Sequence, residues 1–160
     1  MRSSWARPSA RRRESRCPAR LSRPSARMNA DPAVYLDSSA LVKLVVREPE
    51  SAALAGHLRR RPARVSCALA RVEVIRAVRS HGPPAVTRAR QLLDRISLLR
   101  LDDVLLEDAA ELEGAALRSL DAIHLAAART LGEGLGEVIT YDQRMAEAAR
   151  DMGLPLSAPA

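Results

Sequence analysis

Hydrophobic residues along the chain alternate between short continuous runs and longer stretches with helical spacing. The run 33–36 is short and apolar, and the stretch 39–46 that follows it has the spacing of an amphipathic helix. The same alternation continues to the end of the chain, and it is typical of parallel strands joined by crossover helices. The pattern therefore predicts a three-layer α/β domain with a central, mostly parallel sheet of four to five strands.

Turn residues set the limits of the predicted elements, because proline and glycine interrupt both helices and strands. The predicted strands are 33–36, 64–67, 97–101, 137–141 and 154–156. The predicted helices are 39–46, 50–61, one from the second strand to about 80, 84–96, 104–115, 120–131 and 143–152. Glycines at 132, 134 and 136 predict a loop before the fourth strand.

Residues 1–27 differ from the rest, because they are rich in Arg, Ser and Pro and contain the string RPSAR twice. So few apolar residues cannot offset the entropy of ordering, and the segment is predicted to be a disordered extension. It could be a basic arm for nucleic acid, an organelle transit peptide or an upstream stretch that is not normally translated. We favour Met28 as the natural start, which leaves 28–160 as one domain.

The formal charge of +7 does not by itself indicate a nucleic-acid-binding protein, because it is unevenly distributed. Residues 1–27 hold nine Arg and one acid, so the remainder carries 17 basic and 18 acidic groups. Within that remainder, 47–100 has twelve Arg and four acids, whereas 101–142 has two Arg and ten acids. This division suggests a basic face that could meet phosphate and an acidic region that could bind cations, although two solvated faces would look the same.

Two cysteines and three histidines are too few for a disulfide framework or a zinc site. The sequence also has no apolar run near the ~20 residues that span a bilayer and no apolar core of a signal peptide. We therefore expect a soluble cytoplasmic protein without a membrane partner.

Three aspartates share one structural position in the predicted fold. Asp37 and Asp142 each follow a strand and precede a helix, and Asp121 lies in the first turn of another helix. The carboxyl ends of parallel strands and the starts of the following helices face one crevice, where ligands bind. Each Asp alone could be a helix cap worth ~1 kcal/mol. Together, unpaired carboxylates would repel unless a cation neutralised them, and oxygen ligands favour Mg²⁺ or Mn²⁺.

Glu73 is a fourth candidate, because it lies at the border of the apolar face of its predicted helix and could point into that crevice. An exposed pair with Arg76, one turn away, is the ordinary alternative. His124 lies on the apolar side of its helix, and we expect it to be a packed core histidine and not a general base.

The strings VYLDSSALVKL, LARVEVIRAV, LRSLDAIHLAAA and ITYDQRMAEAA, in that order, resemble the PIN-domain ribonucleases, most closely the VapC-type toxins of toxin–antitoxin pairs. The resemblance covers about 33–156. It implies that the catalytic acids are Asp37, Glu73, Asp121 and Asp142, with Asp37, Asp121 and Asp142 holding the metal. Ser38 and Thr140 match supporting hydroxyl groups.

The resemblance also implies a function. It implies Mg²⁺- or Mn²⁺-dependent hydrolysis of RNA, a cognate antitoxin that obstructs the metal site, and a homodimer or a toxin–antitoxin hetero-oligomer. The proposed contacts of the RNA phosphates are Arg59, Arg60, Arg61, Arg64, Arg71, Arg76 and Arg144. Because aromatic residues make up only 2% of the chain, we expect recognition of a structured RNA by shape and not by base stacking.

Two other classes remain possible from the residues alone. A phosphoryl-transfer domain of receiver or haloacid-dehalogenase type also places Asp at strand ends, but the dehalogenase pattern expects a second Asp where this chain has Ser39. A non-catalytic RNA-binding module whose carboxylates are helix caps is the other alternative.

Overall fold

The computed structural model describes residues 31–114 and 117–160, which form a five-stranded sheet. The strands are β1 (Ala33–Leu36), β2 (Arg64–Cys67), β3 (Ser97–Leu99), β4 (Leu135–Ile139) and β5 (Leu156–Ser157). Their order is β3-β2-β1-β4-β5, and every neighbouring pair is parallel. The predicted parallel sheet is confirmed, with five strands. The disordered extension predicted for 1–27 lies outside the described residues.

Helices cover both faces of the sheet, which confirms the three-layer arrangement. The described α-helices are α1 (Ser38–Val45), α2 (Ser51–Leu58), α3 (Ala70–Val78), α4 (Pro83–Leu93), α5 (Asp103–Ala110), α6 (Ser119–Arg129) and α7 (Gln143–Asp151). One hydrophobic cluster joins α1 to α4 with Val34 and Leu36, and the other joins α5 to α7 with Tyr35 and Val138. Alternate residues of β1 and β4 therefore supply the two cores. None of the helices within the described ranges has the length and hydropathy that crossing a bilayer requires.

The fourth strand begins and ends two residues earlier than predicted, at Leu135 and Ile139 instead of 137 and 141. Leu135 pairs with Ala33, and Gly136 fits into the strand because it passes close to Pro32. A Cβ atom on Gly136 would lie 2.7 Å from the Pro32 Cβ. Gly136 is therefore a strand residue selected by a close approach and not part of the predicted loop.

Several helices end earlier than predicted, and local chemistry explains two of them. Helix α2 stops at Leu58 and not at 61, because Pro62 follows and disfavours helical backbone at the residue before it. Helix α5 stops at Ala110, where Glu111 and Glu113 would place negative charge at the negative end of the helix dipole. The last residue predicted for α5, Ala115, lies outside the described residues.

Candidate active site

The candidate site lies where the strand order changes direction. Successive strands run outward from β1 through β2 to β3, and the chain then returns to place β4 on the other side of β1. Leu36 is level with Ile139, so the residues that follow these two strands are neighbours at the carboxyl edge of the sheet. Crevices at such a switch point are where open α/β sheets bind ligands.

Asp37 follows β1 at this edge and is only 4% exposed. It caps α1 by accepting a hydrogen bond from the Ala40 amide (2.8 Å), and it also accepts from the hydroxyls of Ser39 (2.7 and 2.9 Å) and Thr140 (2.7 Å). Burial raises the pKa of Asp37 above its ordinary value, and the hydrogen bonds only partly oppose this. A nearby cation would stabilise the buried carboxylate.

Asp142 is joined to Asp37 through a single hydroxyl group. The Thr140 hydroxyl donates to Asp37 and accepts a hydrogen bond from the Asp142 amide at 3.1 Å. The Asp142 carboxylate caps α7 by accepting from the amides of Arg144 (2.9 Å) and Met145 (3.2 Å). The Arg144 guanidinium lies 3.6 Å from the other oxygen of the same carboxylate. Asp37, Thr140 and Asp142 therefore form one hydrogen-bonded unit.

Glu73 reaches this region from the first turn of α3. Its Oε2 accepts a hydrogen bond from the Ser38 hydroxyl (2.5 Å) and lies 2.8 Å from His124 Nε2. Burial acts to raise the pKa of Glu73, but the hydrogen bonds from His124 and Ser38 outweigh it and lower the pKa below its ordinary value. Glu73 thus pairs with His124 and not with Arg76, and its side chain points away from the solvent face.

His124 is buried, as the sequence predicted, but its role in a polar chain was missed. It is 3% exposed, and its Nδ1 lies 2.8 Å from the Tyr35 hydroxyl and 3.5 Å from Cys67 Sγ. Burial alone would lower the pKa of His124, but the contacts with Cys67 and Glu73 raise it above its ordinary value. The sequence did contain one signal for this polar role. His124 lies three residues after Asp121, and residues three apart lie on one face of a helix, so His124 shares a face with a candidate site residue.

Asp121 lies in the first turn of α6, one turn before His124. Its Oδ2 is buried and has no hydrogen-bond partner among residues 31–114 and 117–160. Buried carboxylate oxygens rarely remain unpaired, because losing water without a replacement partner is costly. Across 31–114 and 117–160, however, no three His, Cys, Asp or Glu side chains form a ready-made metal-binding group. Convergence of Asp37, Asp121 and Asp142 on one ion therefore stays a prediction.

The two predicted supporting hydroxyls contact the acids, and a third was missed. Ser38 donates to Glu73, and Thr140 donates to Asp37. Ser39 donates to Asp37 and accepts a hydrogen bond from the Tyr141 amide at 2.8 Å, which links the start of α1 to the end of β4. A serine two residues after a strand-end aspartate was the sequence signal for this contact.

The predicted RNA-contacting arginines lie at two different places. Arg71 and Arg76 are exposed on α3, beside Glu73, and Arg144 contacts Asp142. The other four, Arg59, Arg60, Arg61 and Arg64, lie between the end of α2 and the start of β2, at the amino edge of the sheet.

Two of these four arginines make contacts that favour a structural role. The Arg61 guanidinium is 2.6 Å from Glu137 Oε1. Arg64 donates hydrogen bonds to the backbone carbonyls of Leu58 (2.7 Å) and Arg61 (3.0 Å). These contacts link the end of α2 to the sheet. The side chains of Arg61 and Arg64 therefore bind groups of the fold at the amino edge, away from the acids.

Fold and site together define a class, that of all-parallel three-layer α/β domains with a buried aspartate at the switch point of the sheet and further acids beside it. Comparison with known families gives a match to the PIN domain over residues 34–151. The chain belongs to the PIN domain family, which confirms the resemblance found in the sequence.

Three similar proteins are VapC proteins. Ribonuclease VapC46 of Mycobacterium tuberculosis (strain ATCC 25618 / H37Rv) is 53% identical over 127 residues, which is 79% of this chain and 98% of VapC46. Ribonuclease VapC47 of the strain CDC 1551 / Oshkosh is 39% identical over 131 residues, covering 79% of this chain and 96% of VapC47. The crystal structure of M. tuberculosis VapC20, a sarcin-ricin loop cleaving toxin, matches with a TM-score of 0.62 over 72% of this chain and 95% of that one. At 15% identity, this last match supports the fold alone.

Proposed function

We propose that the protein is a metal-dependent endoribonuclease that acts as the toxin of a toxin–antitoxin pair. The observation that carries the proposal is the buried Asp37 at the switch point of the sheet, joined through Thr140 to Asp142, in a chain 53% identical to a ribonuclease. A purely structural cap does not need a carboxylate that is 4% exposed and held by the hydroxyls of both Ser39 and Thr140. The Thr140 hydroxyl holds the Asp37 carboxylate next to the backbone amide of Asp142 before any ligand binds.

The donor set fits a hard divalent cation. The unpaired Asp121 Oδ2 is an oxygen that a cation would satisfy, and the other acids also offer only oxygen ligands. Asp37, Asp121 and Asp142 would hold Mg²⁺ or Mn²⁺, and Glu73 would act through water or accept a proton. When bound, the ion supplies a water of lowered pKa and offsets charge on the scissile phosphate.

The remaining polar residues hold the acids in place. Ser39 and Thr140 direct the Asp37 carboxylate, and Ser38 directs Glu73. The Arg144 side chain is close enough to the Asp142 carboxylate to bring a positive charge to the rim of the crevice. That charge would attract the RNA backbone toward an otherwise acidic site.

The proposed substrate is a structured RNA, because aromatic side chains are too scarce for base stacking to dominate recognition. The proposed partner is a cognate antitoxin that covers the site, with the toxin as a homodimer or within a toxin–antitoxin hetero-oligomer in the cytoplasm. The VapC names of the relatives support these proposals.

The test is RNA cleavage with Mg²⁺ or Mn²⁺, with and without chelator, for the wild type and for Asp37→Asn and Asp121→Asn. We expect each substitution to lower the cleavage rate on the order of 100-fold or more, since each removes a negative ligand of the metal ion that would stabilise charge on the phosphate. Asp102→Asn is the matched control, because Asp102 caps α5 by accepting from the Leu105 amide at 2.9 Å. Asp102→Asn should keep the cap, because the Asn side-chain oxygen also accepts from a backbone amide, and it should keep cleavage.

Other outcomes would favour the alternative classes. If the wild type binds RNA and does not cleave it, and the variants bind equally well, the protein is a binding module. Phosphatase activity without RNA cleavage would indicate a phosphoryl-transfer domain.

A further inference from the structure

A chain of hydrogen-bonded polar side chains connects the buried middle of the sheet to the acidic site. It runs from the Tyr35 hydroxyl on β1 to Nδ1 of His124 on α6 (2.8 Å), and from His124 Nε2 to Oε2 of Glu73 on α3 (2.8 Å). Tyr35 is 0% exposed and His124 is 3% exposed. The imidazole therefore has a polar partner on each ring nitrogen.

The hydrogen-bond chemistry fixes which atom donates to Glu73. An ionised carboxylate can only accept, so the proton at this contact is on His124 Nε2, whatever the state of Nδ1. Because both ring nitrogens are occupied, rotation of the ring would break two contacts at once. The ring therefore presents its Nε2–H group to Glu73 in one orientation.

Only one of the two Glu73 oxygens is used in this way. Ser38 and His124 both bind Oε2, and no hydrogen bond within the described part of the chain involves Oε1. Glu73 also has a longer side chain than the three aspartates, and among the described residues its carboxylate is bound by side chains, whereas backbone amides bind those of Asp37 and Asp142. Its carboxylate position therefore depends on side-chain partners.

We propose that His124 is a positioning residue of the active site, which holds Glu73 Oε2 so that Oε1 stays available to water or to a metal-bound ligand. This inference rests on the proposed nuclease function. Groups that orient catalytic or metal-binding side chains typically contribute on the order of 10- to 100-fold in affinity or activity. A reacting group displaced by about 1 Å can cost on the order of 100-fold in rate.

Two amide substitutions separate positioning from simple packing. In His124→Gln the amide nitrogen can take the place of Nε2 and still donate to Glu73, whereas in His124→Asn the amide lies near the position of Nδ1 and cannot reach Glu73. Both replace the ring by a neutral polar group. Leu125→Ala is the control for reduced stability. Leu125 is buried on the same helix and belongs to the hydrophobic cluster that joins α5 to α7.

The experiment measures metal-dependent RNA cleavage, Mn²⁺ affinity and Tm for the three variants, below the Tm of each. We expect His124→Asn to cleave 10- to 100-fold more slowly than wild type, and His124→Gln to recover most of that loss. Leu125→Ala should lower Tm and leave cleavage by the folded protein near the wild-type rate. In a Glu73→Ala background, His124→Asn should cause no further loss, because its partner is already absent.

The interaction has a second readout that does not depend on activity. Nitrogen-15 NMR of the imidazole should show His124 protonated at Nε2, with a signal that moves in Glu73→Ala. An Nε2 signal that Glu73→Ala leaves in place would overturn the interaction. Equal cleavage losses in His124→Asn and His124→Gln, in proportion to Tm, would assign His124 a packing role only. A wild type that neither binds Mn²⁺ nor cleaves RNA would instead overturn the proposed function.

Discussion

At the residue scale, hydroxyl groups hold the carboxylates of the site. The Thr140 hydroxyl is the clearest case, because it is buried and has two partners, the Asp37 carboxylate and the Asp142 amide. A hydroxyl that both donates and accepts fixes two groups relative to each other. Thr140 therefore ties the Asp37 carboxylate at the end of β1 to the backbone that follows β4.

Replacement of Thr140 by valine tests this bridge, because the two side chains have nearly the same shape. Thr140→Val removes a donor from the buried Asp37 and an acceptor from the Asp142 amide, and we expect a loss of about 1 to 3 kcal/mol in the free energy of unfolding. Cleavage should also fall, since Asp37 loses one of its orienting hydrogen bonds. Urea unfolding and the RNA cleavage assay provide the measurements.

Thr87→Val is the matched control for the Thr140 substitution. The Thr87 hydroxyl donates to the Pro83 carbonyl at 3.2 Å in an exposed part of α4, far along the chain from the acids. Its removal should change stability by no more than about 0.5 kcal/mol. Equal effects of the two substitutions would contradict a special role for Thr140.

Some of the site residues follow from sequence and others do not, for a physical reason. Asp37 and Asp142 were predictable because each lies beside its own strand end, so local pattern places them. The His124 contacts were not, since its partners Tyr35 and Glu73 are 89 and 51 residues away in the chain. Which side of a helix faces which polar group depends on packing, and no local spacing records it.

At the element scale, the start of β4 depends on a close approach of two backbones. The register between β1 and β4 shifts between Ala33 and Val34, opposite Gly136. The sequence alone predicted a loop at Gly136, because glycine has little intrinsic preference for β-strands. The nearby Pro32 ring explains why a glycine is needed there.

Gly136→Ala should therefore destabilise the fold. The new Cβ would lie 2.7 Å from the rigid Pro32 ring, and overpacking of this kind costs about 1 to 3 kcal/mol. Gly134→Ala is the control, because nothing lies within 4 Å of the Cβ it would add. Thermal unfolding of both variants checks this, and equal Tm values would show that the strand start can shift without cost.

The turn between α1 and α2 is closed by Lys43, whose ammonium lies 2.5 Å from Glu48 and 2.7 Å from Glu50. The same ammonium lies 4.7 Å from the centre of the Tyr141 ring, next to Asp142. Burial alone would lower the pKa of Lys43, but its hydrogen bonds to the two glutamates raise it above its ordinary value. The hydrogen bond from Lys43 lowers the pKa of Glu50.

Lys43→Met should lower stability, by about 1 kcal/mol or less at neutral pH, in a pH-dependent way. Because the pKa of Glu50 is lowered, its part of the stabilisation is lost as pH falls through its folded value, below its ordinary 4.5. Because the pKa of Lys43 is raised, its part is lost as pH rises through a folded value above 10.5. The free energies of unfolding of the wild type and of Lys43→Met should thus differ most at pH values between the folded-state pKa of Glu50 and that of Lys43.

Urea unfolding at several pH values measures this difference. Arg47→Met, which removes a neighbouring exposed cation, is the control and should show little change. A Lys43→Met difference that does not vary between pH 3 and pH 7 would contradict the ion pairs.

At the scale of the whole molecule, the sheet separates two sets of arginines. Arg71 and Arg76 lie on α3, which begins at the carboxyl edge beside the acids, whereas Arg59 and Arg60 lie at the amino edge. Strand β2 is four residues long, so its first and last residues are three steps, or roughly 10 Å, apart at 3.3 Å per residue. The alternating pattern of the chain predicted the sheet itself, because buried parallel strands and amphipathic helices differ in period. It could not place the arginines, since their edge depends on where each loop leaves the sheet.

RNA bound at the acids should therefore depend on the α3 arginines and not on those at the opposite edge. In an Asp37→Asn background that prevents cleavage, Arg71→Gln with Arg76→Gln should weaken RNA binding across sequences. It should also reduce the slope of log affinity against log salt by about 0.7 to 0.9 for each phosphate that is no longer neutralised. Arg59→Gln with Arg60→Gln removes the same charge and should change the slope little. Titrations at several salt concentrations measure both pairs. Equal slopes for the two pairs would mean that the RNA contacts both edges of the sheet, because at physiological salt an exposed charge is largely screened beyond about 8 Å.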